Sequence, residues 1–290
     1  MLIDSIKTIE DSSVFHILII DSGKENVVFP ENFKQIFLYT PEELTSSTAQ
    51  KIIKKYAGSK DKLRWSLKPA FIRQLLSNNI CSKIIYADND IAFFNDIKFL
   101  FDELDKHPVL LTPHRYPADP EKNQNWLEAN FKVGLYNAGF IGVNKNAIDA
   151  MEWWAKCCYY RCEKNTLRGL FDDQKYLDLM PIIQPATKVL YHKGCNVAEW
   201  NVDHCKRTVI GSNVLIDDIW PIVFIHFNKT TIQAFLNGDD KLLMPYFDKY
   251  IENLKKYNPA MKISDEGYTM GLIEKIKLSL WIVLNKVNIF

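Results

Sequence analysis

Apolar residues in this chain fall into short runs broken by turn residues. Residues 14–20, VFHILII, form a β-favouring run that ends at Asp21-Ser22-Gly23 and predicts a buried strand. Similar runs predict strands at 35–39, at Ile84-Ile85-Tyr86, and at 108–112, 140–143, 189–191 and 223–227. Helical spacing appears between them. Leu2, Ile3, Ile6 and Ile9 recur on one face, and residues 45–56 form a helix stopped near Gly58. Residues 65–76 follow, with Pro69 placed in an early turn where its missing N–H costs little. Further helices are predicted at 97–104, 124–132, 147–162, 172–180 and 242–257, with Trp153 and Trp154 read as core. Helices alternating with strands predict an α/β domain with a mainly parallel central sheet flanked by helices. The last stretch differs. Ile273, Ile276, Leu280, Val283, Leu284 and Val287 share one helical face, with Glu274 and Lys277 opposite. Residues 263–290 are therefore expected to form an amphipathic C-terminal helix, either packed on the domain or lying in a membrane interface. The domain itself is expected to span 1–262.

Composition narrows the function classes. With 290 residues, 47% of them hydrophobic and 24% charged, the chain can bury a real core. Its net charge of +1 gives no nucleic-acid footprint. Its six cysteines do not make a small secreted disulfide framework and are read as reduced thiols. Cys157, Cys158 and Cys162, and the pairs His192/Cys195 and His204/Cys205, lack the paired spacing of a structural zinc site. The opening MLIDSIKTIEDSS has no basic start and long apolar run, and no segment reaches the ~20 apolar residues that span a bilayer. A cytoplasmic location is expected, with peripheral contact at the inner membrane face through the C-terminal helix.

The chemistry concentrates at Asp88-Asn89-Asp90, directly after the Ile84-Ile85-Tyr86 strand. Ligands of open α/β sheets bind beyond the carboxyl ends of strands. Two carboxylates one residue apart repel each other unless a cation lies between them, and Mg²⁺ or Mn²⁺ suits oxygen donors. The alternative is a solvated acidic turn.

Further stretches follow in order: Tyr136-Asn137-Ala138-Gly139, then Asp173-Gln174, then His226 within VFIHFN. Together with the two acids, these resemble the nucleotide-sugar glycosyltransferases of the GT-A fold. The likeness is to the glycogenin-like and lipopolysaccharide-galactosyltransferase-like enzymes of family eight. A looser bacterial group making capsule and lipopolysaccharide is similar in the WSLKP segment, residues 65–69, and the GCNVAEWN segment, residues 194–201. The resemblance implies a GT-A (Rossmann-like) α/β fold and a nucleotide-diphosphate sugar donor, UDP-linked. It implies a saccharide or lipid-linked acceptor and Mn²⁺ or Mg²⁺ on Asp88, Asp90 and His226. Lys68, Asp88, Asn137, Ala138, Gly139 and Asn196 would bind the donor, and Asp173 and Gln174 would be catalytic. Retention of the anomeric configuration is expected, because inverting enzymes of this fold usually rely on a carboxylate base. Two departures stand out. By the resemblance, the family's first strand would precede the opening helix, and roughly ten to fifteen further residues are expected before Met1. The residues after His226 are Phe227-Asn228-Lys229-Thr230 instead of the family's glycine and Lys-Pro-Trp, so phosphate contacts from that loop do not carry over; Lys229 is the one substitute.

Taken residue by residue, other readings stand beside these. His226 alone reads as a satisfied core histidine, Lys68 as a snorkelling surface lysine, 137–139 as a turn before a strand, and Asp173 as a helix N-terminal acid. For the whole chain, the rivals are a nucleotide-sugar-binding protein without catalysis and a phosphatase of haloacid-dehalogenase type. The latter puts its acids near the chain start, with Thr or Val two residues after the second; here Asp90 is followed by Ile91-Ala92.

Overall fold

The computed structural model describes residues 2–259 apart from 11, 28, 30–34 and 212; the expected amphipathic helix at 263–290 lies outside the described residues. The chain opens with α1 (Leu2–Lys7), followed by β1 (Phe15–Leu18) and β2 (Ile36–Tyr39), which pair in parallel. Helix α2 (Ser47–Tyr56) starts at the Ser46 cap, and α3 (Lys60–Ser77) at the Ser59 cap, each hydroxyl accepting a backbone N–H. Because α3 begins at Lys60, Pro69 lies in mid-helix and not in the expected early turn. The start was hidden in sequence because Lys60-Asp61-Lys62 carries no apolar periodicity.

Next come β3 (Lys83–Ala87), β4 (Ile91–Phe93), α4 (Lys98–Leu104), β5 (Val109–Pro113), α5 (Gln124–Lys132) and β6 (Tyr136–Asn144). Helix α6 (Ile148–Tyr160) precedes a small hairpin, β7 (Lys164–Asn165) with β8 (Leu170–Phe171). The helix expected at 172–180 is instead a 3₁₀ turn, Gln174–Leu179, running into the short α7 (Met180–Ile183). Strand β9 (Lys188–Val189) follows, then β10 (Arg207–Ile210), β11 (Asn213–Ile216) and β12 (Trp220–Pro221) as a small antiparallel sheet. The chain continues through β13 (Phe224–His226), α8 (Lys229–Asn237) and α9 (Met244–Tyr257).

The central sheet has the order β3-β6-β5-β9. Strand β5 pairs with β9 in parallel, but β6 runs antiparallel to both β3 and β5. The sheet is therefore mixed: β3, β5 and β9 share one direction, as a mainly parallel sheet requires, and β6 is inserted against them. The reason is local. Pro113, at the end of β5, pairs with Tyr136, at the start of β6, so the connection leaves and re-enters at one end of the sheet. A parallel neighbour needs a crossover back across the sheet.

Side chains alternate across the sheet. Ile84 packs with Leu67, Ala70 and Phe71 of α3, and β6 contributes Ala138, Ile141 and Val143 to a core with Met151 and Trp154 of α6. On the other face, Ile85 and Ala87 pack with α4, Phe140, Phe224 and the apolar residues of α1. A further cluster seats α8 and α9 against β13. All six cysteines are free thiols. No helix among the described residues is long and apolar enough to cross a membrane.

Candidate active site

Strand β3 delivers Asp88 just beyond its last residue, where the Asp88 N–H donates to the Gly139 carbonyl at 2.8 Å. The chain then turns into β4, whose antiparallel partner is β13, with His226 opposite Ile91. The Phe227 N–H donates to the Asp90 carbonyl at 2.8 Å. This ladder carries the imidazole to the acids. One ligand atom each from Asp88, Asp90 and His226 lie within 4.8 Å of one another. His226 Nε2 is 3.1 Å from Asp90 Oδ1, close but not aligned as a hydrogen bond, and that buried oxygen has no hydrogen-bond partner. Burial pushes the Asp90 carboxyl up, but the imidazole beside it outweighs this and holds it below its ordinary range. Burial pushes His226 down, but Asp90, Asp88 and Glu199 outweigh it and hold the imidazole above its ordinary value.

Two carboxylates and one imidazole, one carboxylate oxygen of them buried without a hydrogen-bond partner, fit a divalent cation of the Mn²⁺ or Mg²⁺ class. The backbone makes room for the cluster at Gly139. A Cβ there would sit 2.6 Å from His226 Cε1, 2.9 Å from Asn137 Oδ1 and 3.2 Å from Asp88 Oδ2. Residues 137–139 form no turn: they lie inside β6, which starts at Tyr136. Asn137 is the hinge of the polar wall. Its Oδ1 accepts from Gly139 N at 2.7 Å, and its Nδ2 donates to Asn196 Oδ1 and lies 3.1 Å from His226 Nδ1. Partners of this kind fix the ring orientation of a ligating histidine. Asn196 is fully buried with φ +66, a left-handed conformation that Asn adopts more readily than most residues.

Lys68 is no surface lysine. Only 5% exposed, it reaches from α3 to donate to the Ala138 carbonyl at 2.7 Å. It pairs with Asp173 Oδ2 at 3.0 Å and lies 3.6 Å from Asp88 Oδ1. Burial opposes its charge, but Asp173, Asp88 and Tyr86 raise its pKa well above the usual lysine value. Asp173 is 3% exposed, and its burial pushes its carboxyl up in spite of Lys68. Its main-chain carbonyl accepts from Trp154 Nε1 at 2.8 Å, which ties the turn to α6. Gln174 spends both ends of its amide on backbone: Oε1 accepts from Ala138 N and Nε2 donates to the Val133 carbonyl. The Ala138 N–H and carbonyl are thus both used within the protein.

The structure therefore brings all the expected positions into one connected cluster, and it adds residues the sequence reading passed over. Tyr86 donates to Asp88 Oδ1 at 2.5 Å. Two residues apart at a strand end, the pair shares a face, and that spacing was the available signal. Asp172, beside Asp173, is buried at φ +48, with its Oδ1 lacking a hydrogen-bond partner. Asn201 donates to the Asn196 carbonyl at 2.8 Å, and Arg115 donates to the carbonyls of Cys195, Leu190 and His192, so both fix the segment carrying Asn196. Trp200 packs edge-on to His226, 5.5 Å between ring centroids. Glu199 accepts from the hydroxyls of Thr230 and Thr231 at the start of α8.

No family model matches the chain. An uncharacterized protein, YfnD of Bacillus subtilis (strain 168), is 27% identical over 225 residues, spanning 73% of this chain and 70% of that one. Among solved structures, the chain is similar to apo mouse xyloside xylosyltransferase 1, with TM-score 0.40 and 19% identity over 68% of this chain and 76% of that one. It is also similar to the galactosyltransferase LgtC in complex with donor and acceptor sugar analogs, with TM-score 0.44 and 14% identity over 78% of this chain and 81% of that one. A third is the glycosyltransferase GlyE of Streptococcus pneumoniae TIGR4, with TM-score 0.42 and 12% identity over 79% of this chain and 50% of that one.

Proposed function

We propose that this protein is a metal-dependent GT-A glycosyltransferase. It moves a sugar, with retention, from a UDP-linked or related nucleotide-diphosphate donor to a saccharide or lipid-linked acceptor in surface polysaccharide synthesis. The observation that carries the reading is the convergence of Asp88, Asp90 and His226, remote in sequence, beside the buried Lys68–Asp173 pair. An acidic turn in solvent needs neither an imidazole delivered by a neighbouring strand nor a buried ammonium.

A divalent cation held by Asp88, Asp90 and His226 would act as a Lewis acid toward the departing diphosphate. The chain's own residues supply the rest. Lys68 holds a fixed positive charge between Asp88 and Asp173 and keeps the Asp173 carboxylate in one place. Asp173 offers a carboxylate oxygen to a donor-sugar hydroxyl, while the buried amides of Asn137 and Asn196, bonded to each other, hold the Gly139 backbone and the His226 ring in place. Gln174 acts through the backbone it grips, tying the start of β6 at Ala138 to Val133 at the end of α5. Such pre-set polar groups lower a barrier because they need no reorganisation during the reaction.

The test is release of nucleoside diphosphate from a panel of nucleotide-diphosphate sugars, with Mn²⁺ and with EDTA. Release with Mn²⁺ that stops with EDTA is expected. Tight nucleotide binding without turnover on any donor, with or without acceptor sugars, would point instead to a binding protein.

A further inference from the structure

The two oxygens of Asp88 face different partners. Oδ1 accepts the Tyr86 hydroxyl at 2.5 Å and lies 3.6 Å from Lys68 Nζ. Oδ2 is the oxygen turned toward the Gly139 backbone, 3.2 Å from where a Gly139 Cβ would stand; His226 Cε1 lies 2.6 Å from the same point. We propose that Tyr86 is a positioning residue of the metal site: its hydroxyl pins one carboxylate oxygen of Asp88 and leaves the other turned to the cation. The proposal rests on the metal-site reading above and deepens it.

The phenol is suited to this. Its ring is held by packing with the core of β6 and α6, so the hydroxyl has little freedom. Lys68 Nζ stands 4.7 Å from the ring centroid, over the same face of the site. Asp88 itself is partly exposed and stands on a turn, so without Tyr86 its carboxylate could rotate and offer both oxygens to Lys68. Tyr86 and Lys68 together fix which oxygen is spent inside the protein. A carboxylate held in this way meets a cation with one preset donor atom, and partners that orient a metal ligand in this manner are typically worth 10–100-fold in metal affinity.

The test is Mn²⁺ binding to the full chain, followed by the electron paramagnetic resonance signal of free Mn²⁺, which reads affinity without any turnover. Tyr86→Phe keeps the ring and its packing and removes only the hydroxyl. It is expected to weaken Mn²⁺ binding about tenfold with an unchanged melting temperature. In an Asp88→Asn background, the same change is expected to cost nothing further; a merely structural tyrosine would cost the same in both backgrounds. Wild-type affinity in Tyr86→Phe, or an equal loss with Asp88→Asn present, would overturn the proposal while leaving the metal site standing. A wild-type protein that takes up no Mn²⁺ would overturn both.

Discussion

At the scale of single residues, Asp172 shows how much the site holds under strain. It is buried, in a left-handed conformation at φ +48, with Lys164 at 3.5 Å as its ion-pair partner. Burial first, and Asp173 next to it, push its carboxyl up to about 6 from 3.8. The folded state therefore holds this proton more tightly than the unfolded chain. The associated stability is fully present below pH ~4 and is lost as pH rises through about 6. Asp172→Asn is expected to be more stable than the wild type by about 2–3 kcal/mol at pH 7, at 1.36 kcal/mol per pH unit. The advantage should vanish near pH 4, read by urea unfolding at the two pH values. Gly139→Ala is the opposite case: its methyl meets the His226 ring and the Asp88 carboxylate. It should weaken Mn²⁺ binding at least tenfold, measured by calorimetric titration, and retained affinity would show that the cluster can yield. Asp88 and Asp90 were legible because an apolar strand that ends in acids breaks its own pattern; His226 was legible only through the family resemblance, since alone it reads as a satisfied core histidine. Tyr86 was not, because a tyrosine in an apolar run reads as core, and only its two-residue spacing from Asp88 set it apart. Asp172 was hidden by its neighbour, since one acid of a pair looks like the other.

At the scale of elements, the site is assembled by pairings that the chain order conceals. The long helices were legible in part: α2 and α6 carry enough turns for an apolar face to show, while the first turn of α3 shows none. Strands β4, β10, β11 and β12 span two to four residues each, too short for alternation to separate them from turns. Yet β4 is the strand that pairs with β13 and brings His226 to Asp90. The direction of β6 was equally hidden, because antiparallel pairing follows from where the connecting chain returns and not from the strand's own residues. One helix-to-site tie can be measured directly. Trp154 on α6 is fully buried and donates its Nε1–H to the Asp173 carbonyl. Trp154→Phe removes that hydrogen bond, a net loss of about 1 kcal/mol, and leaves a cavity. A fall of several degrees in melting temperature is expected, with a larger proportional loss of turnover than in a core variant remote from Asp173. An unchanged melting temperature would show that the tie contributes nothing.

At the scale of the whole molecule, the metal site couples function to stability. Asp88 and Asp90 stand one residue apart, and Asp90 Oδ1 is buried without a hydrogen-bond partner, an arrangement that a bound cation relieves. Mn²⁺ at a hundred times its dissociation constant should stabilise the fold by about 2.7 kcal/mol, seen as a rise in melting temperature. Asp90→Ala should abolish that rise and leave the metal-free chain folded but slightly less stable at pH 7, because the pairing of the carboxylate with His226 is lost. The measurement that tests the central claim most directly is turnover of a UDP-sugar panel by the wild type, Asp90→Ala and His226→Ala, each with Mn²⁺ and with EDTA, scored by UDP release. The account predicts Mn²⁺-dependent release by the wild type, none with EDTA, and a loss of at least a hundredfold (~2.7 kcal/mol of barrier) in both variants while both remain folded. Release that persists in EDTA, or near wild-type turnover by either folded variant, would contradict it.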